Sequence, residues 1–118
     1  MEGAMYYRLF TGPDGESHFE TLDFPFPGAG PAGAGTVDAA SVLYNRFPAG
    51  HDMGWNPAPR RQYVIGLKGR TLLTMRDGSS LEVGPGDVVL AEDVTGGGHH
   101  TKMVGDDDRV SLVIPLRG

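Results

Sequence analysis

Glycine and proline interrupt this chain so often that no long helix fits between them. It carries 19 glycines and nine prolines in 118 residues. Glycine weakens a helix through lost backbone entropy, and proline through its missing N–H and its clash with the preceding turn. Between the breakers lie short runs rich in Val, Ile, Leu, Thr, Tyr and Phe. Such runs bury enough apolar surface to order a chain, and they suit a pleated sheet. The expected fold is all-β with little or no helix.

Nine strands are expected, over residues 5–10, 17–24, 41–48, 61–68, 70–76, 80–83, 87–91, 99–104 and 109–116. Turn signals separate most of them at roughly 8–12-residue spacing, the rhythm of a sandwich or barrel. Pro13 and Gly15 set the first turn. Asp77-Gly78 predicts a two-residue type I′ hairpin, which needs φ > 0 at both central positions. Gly84-Pro85-Gly86 and the acidic run Asp106–Asp108 mark two more. PFPGAGPAGAG at 25–35 has the composition of a flexible loop, and the loop is expected over 25–40. Residues 50–59 read as an ordered loop anchored by Trp55. The chain length suits one domain over residues 1–118.

The net charge of −5 disfavours nucleic-acid and anionic-membrane partners, which need clustered positive charge. With no cysteine there is no disulfide, thiolate metal site or thiol nucleophile. No basic region followed by an apolar run opens the chain, and no stretch approaches ~18 apolar residues. A cytoplasmic location is expected.

Three segments carry a family resemblance: NPAPRRQY at 56–63, LEVGPGDVVLAED at 81–93 and GGGHH at 96–100. They resemble the cupin superfamily, a double-stranded β-helix or jelly-roll barrel, over residues 41–116. Gly50, Asn56, Ala58, Gln62 and Gly69 fall on the spacing of the first cupin motif. Gly86 opens the second motif, which reaches His99 through a loop longer than usual. The resemblance implies an interior pocket. It also implies a homodimer, for which exposed strand edges in residues 5–24 supply a physical reason.

In metal cupins, two histidines, a glutamate and a later histidine hold the ion. The matching positions here are Asn56, Ala58, Gln62 and His99. Ala58 has no donor, and amide oxygens suit Ca²⁺ better than a transition metal. A pocket without the standard cupin metal, and no cofactor, is therefore expected. A substitute divalent-metal site would combine His99 with His18, His51 or Glu92.

Alternation along an extended 56–62 segment places Asn56, Ala58, Arg60 and Gln62 on one face and Pro57, Pro59 and Arg61 on the other. Arg60 then offers a guanidinium to a small carboxylate, phosphate or sugar-like ligand, with Gln62 and His99 orienting it. Asn56, Glu92 and Trp55 complete the expected binding set. The competing expectation pairs Arg60 with Glu92 or Asp93 at the barrel mouth. An enzyme of the isomerase, epimerase or dioxygenase kind is the alternative function. There His99 would act as acid, base or metal ligand, with Tyr63, Glu92 or Asp93 as its partner. His100, on the opposite strand face, reads as a surface or interface residue.

Overall fold

The computed structural model describes residues 3–26 and 35–118. Residues 27–34, half of the flexible loop expected over 25–40, lie outside them. No helix occurs among the described residues. Ten strands do: β1 (Tyr6–Thr11), β2 (Ser17–Leu22), β3 (Leu43–Phe47), β4 (Asp52–Asn56), β5 (Gln62–Lys68), β6 (Arg70–Thr74), β7 (Ser80–Val83), β8 (Val88–Ala91), β9 (His99–Val104) and β10 (Arg109–Pro115). They form a six-stranded sheet ordered β2-β1-β8-β5-β10-β3 and a four-stranded sheet ordered β4-β9-β6-β7. Among the described residues only β1 and β8 run parallel; the other pairings are antiparallel.

Nine expected strands correspond to nine of these ten. The tenth, β4, lies in the segment expected to be a loop. DMGWN has little alternation of its own, and Gly54 interrupts it at φ 74°. It becomes a strand because β9 offers an edge, pairing Asn56 with His99 and Trp55 with His100. Sequence periodicity does not report such pairing.

The Asp77-Gly78 hairpin also differs from expectation. Among the described residues no non-glycine residue has positive φ, so a type I′ turn is absent there. Instead β6 ends at Thr74, and Met75 and Ser79 close a wider loop with a 2.8 Å backbone bond. Met75 is buried in the core, which keeps it out of the turn.

Leu9, Leu73, Met75, Val83 and Val89 form the buried core, with Tyr7, Phe19, Val64 and Leu81 packed against it. These residues come from both sheets, so the two inner faces meet. The inner faces do not fill the space between them. A cavity of about 390 Å³ remains, and every strand except β2 contributes to its wall. A second polar and aromatic layer covers the outer face of the large sheet. There Tyr6 packs on Phe24 and its hydroxyl meets that of Tyr63 at 3.1 Å. Burial, then the Tyr63 hydrogen bond, pushes the Tyr6 phenol pKa up.

Candidate functional site

The segment that crosses from one sheet to the other builds one end of the cavity. β4 ends at Asn56 and β5 begins at Gln62. Pro57 and Pro59 hold the crossing extended, because each fixes φ and restricts the residue before it. The segment is not one continuous strand, so strict alternation fails. Pro57 and Pro59 line the cavity together with Asn56, Ala58, Arg60 and Gln62. Arg60 Nη1 donates to Gln62 Oε1 at 2.8 Å. Asn56 Nδ2 donates to the Met53 carbonyl at 2.8 Å. Arg60 therefore bonds Gln62, not Glu92 or Asp93, and it lines the cavity as a solvent-exposed residue.

His99 opens β9 and lines the same cavity. Its Nδ1 lies 2.5 Å from Asp93 Oδ2. Asp93 is 0% exposed, and Ser17 Oγ from β2 donates to the same oxygen at 2.6 Å. Asp93 Oδ1 has no hydrogen-bond partner among the described residues. A carboxylate oxygen that already accepts from a hydroxyl is best matched by an Nδ1–H donor, which leaves His99 Nε2 for the cavity. The Asp93 backbone carbonyl also accepts from the Ala58 amide at 2.9 Å, tying this unit to the crossing segment.

Two expected binding residues are not brought to the cavity. Glu92 follows Ala91 by one residue, and Ala91 faces inward, so Glu92 projects from the outer face. Arg8 Nε and Arg61 Nε donate to its two oxygens at 2.6 and 2.7 Å. Burial raises its pKa, but the bonds and charges of Arg8 and Arg61 outweigh burial and hold it below the usual carboxylate range. Trp55 alternates with the cavity-lining Asn56 in the same way. It is 38% exposed on the outer face of the small sheet, under the Arg76 guanidinium at 3.8 Å and beside His100. His100 Nε2 pairs there with Asp52 at 2.8 Å. Tyr63, bonded to Tyr6 on the outer face, is likewise no partner for His99.

The residues do not fit the metal that the cupin resemblance implies. Ala58 has no donor atom, Gln62 Oε1 is taken by Arg60, and His99 Nδ1 faces Asp93. The substitute set is not assembled either. His18 pairs with Asp14 at 2.9 Å at the β1–β2 turn, and His51 stacks on Phe47 at 5.2 Å between ring centres. Among the described residues no group of three or more His, Asp or Glu converges on one point.

Sequence reasoning missed five polar residues of the wall: Asn45, Thr71, Thr101, Arg109 and Ser111. Strand alternation carried their signal, since Leu43-Asn45-Phe47 and His99-Thr101-Met103 each step along one face. The supporting Ser17 had no such signal, because 76 residues separate it from Asp93.

Two facing sheets around an interior cavity with polar groups in its wall define a β-barrel domain. No protein-family model and no curated protein matches the chain. Solved structures do. A cupin domain from Bordetella pertussis is 22% identical, with a TM-score of 0.50, over 81% of this chain and 100% of that one. A protein from Neisseria meningitidis is 13% identical, with a TM-score of 0.47, over 64% of this chain and 72% of that one. The chain has the cupin fold.

Proposed function

We propose that this protein binds a small molecule with an anionic or polar head and an apolar body in the barrel cavity. The observation that carries the reading is the Arg60–Gln62 bond at the end of a cavity that His99 also lines. Gln62 orients the guanidinium, and the free N–H groups form a fork for a carboxylate or phosphate. Leu9, Val64, Leu73 and Val89 supply an apolar wall for the body. A cavity of about 390 Å³ falls in the usual range for small-molecule sites.

Hexanoate is a suitable first probe. Arg60→Ala is expected to weaken its binding by about tenfold to a hundredfold, measured by calorimetry, because a charge-assisted hydrogen bond is lost. Unchanged affinity would remove Arg60 from the site and the reading with it.

The Asp93–His99 pair favours a second reading, acid–base catalysis on a bound carbonyl compound. In it, His99 Nε2 takes a proton from the carbon beside the carbonyl, and the electron pair moves onto the carbonyl oxygen near Arg60. The same proton position then exchanges with solvent. Deuterium exchange at C3 of 2-oxohexanoate in D₂O, followed by NMR, tests it. Equal rates with the wild type and with His99→Gln defeat this second reading and leave the binding reading intact.

A further inference from the structure

We infer that Arg109 forms a second anion site at the opposite end of the cavity, so that the barrel takes a small dianion with charges at both ends. This deepens the proposed binding function and rests on the same cavity. Arg109 opens β10, while Arg60 and Gln62 stand where β5 begins. β10 runs antiparallel to β5, and its start lies beside the far end of β5. The inward residues Gln62, Val64 and Gly66 therefore lead from one arginine toward the other, across roughly 13 Å of strand.

Gly66 houses the Arg109 guanidinium. A Cβ at Gly66 would lie 2.5 Å from the Gly84 carbonyl oxygen, 2.6 Å from Arg109 Nη1 and 2.9 Å from Nη2, so no side chain fits there without displacing backbone. Since Gly66 shares its face with Gln62 and Val64, the guanidinium lies inside the barrel. Arg109 is 3% exposed and lines the cavity with Ser111 and Thr71.

Its charge has no carboxylate within ion-pair distance among the described residues. Its one side-chain hydrogen bond runs from Nη1 to the Gly69 carbonyl at 3.0 Å. Asp87 is the acid whose field reaches it, but the Asp87 oxygens accept from the Met5 and Gly84 amides. Burial lowers the Arg109 pKa, Asp87 opposes that, and Arg70 adds to it. A guanidinium buried without a counter-ion is costly, and an anion entering the cavity relieves that cost. The apolar wall between the two arginines suits a hydrocarbon spacer. A short straight-chain dicarboxylate has this chemistry.

The test compares hexanedioate with hexanoate by calorimetry, and wild type with Arg109→Met and Arg109→Gln by thermal denaturation without ligand. Hexanedioate is expected to bind the wild type at least about tenfold more tightly than hexanoate. In both variants the two acids are expected to bind alike. The Gln variant is expected to melt no lower than wild type, because a buried unpaired charge has been removed. The Gln variant keeps a donor for Gly69, so a fall in the Met variant alone reports loss of that bond and supports the inference through Gln. No advantage for hexanedioate, an advantage that survives both variants, or a marked fall in melting temperature for both would overturn it. Arg60-dependent binding of hexanoate with no gain for hexanedioate would leave the binding function standing and defeat the second site alone. Binding of neither acid would defeat both.

Discussion

Replacing Asp93 with alanine is expected to cost about 2–4 kcal/mol of folding stability. The carboxylate is fully buried and one of its oxygens takes hydrogen bonds from two elements, Ser17 on β2 and His99 on β9. Alanine leaves both donors without a partner in a site that water hardly reaches, and each stranded donor carries its own desolvation cost. Urea denaturation measures the loss as a lower midpoint at unchanged slope. Ser17→Ala removes one donor and leaves the acceptor bonded, so its expected cost is smaller, about 1 kcal/mol. If Asp93→Ala costs no more than Ser17→Ala, the carboxylate does not organise this end of the cavity. Long-range ¹H–¹⁵N correlation on the histidines gives an independent reading: His99 is expected to carry its proton on Nδ1 in the wild type, and to lose that preference in the variant.

Gly98→Ala is expected to be at least as damaging, about 3 kcal/mol or more. Gly98 precedes β9 with φ at +73°, and an added Cβ would overlap the backbone of Asn56 and Pro57. That backbone cannot yield without opening the Asn56–His99 pairing between β4 and β9. Gly78→Ala is the control. Gly78 also has positive φ, +90°, but nothing lies within 4 Å of its added Cβ. Its expected cost is the backbone strain alone, about 1–2 kcal/mol. Equal losses for the two variants would mean that the close approach at Gly98 does not matter.

These two positions also separate what local chemistry encodes from what it does not. Gly98 stands in a glycine run that reads as a loop on composition alone. Its need for glycine comes from Asn56 and Pro57, more than 40 residues earlier in the chain. Asp93 reads as one of several carboxylates near His99, and composition does not prefer it to Glu92. Strand alternation does: Ala91 faces inward, Glu92 outward, and Asp93 turns back in as the strand ends. The same step of one residue places Trp55 outside and Asn56 inside.

By itself the sequence determined the all-β class and nine of the ten strands. It did so because glycine, proline and the two-residue period of a strand act over a few neighbouring residues. Tertiary structure decided the rest. It made β4 a strand by giving it β9 to pair with, brought Ser17 to Asp93, and set Arg109 into the space left by Gly66. Each of these depends on a partner distant in sequence, and long-range pairing and desolvation leave no periodic mark on the chain.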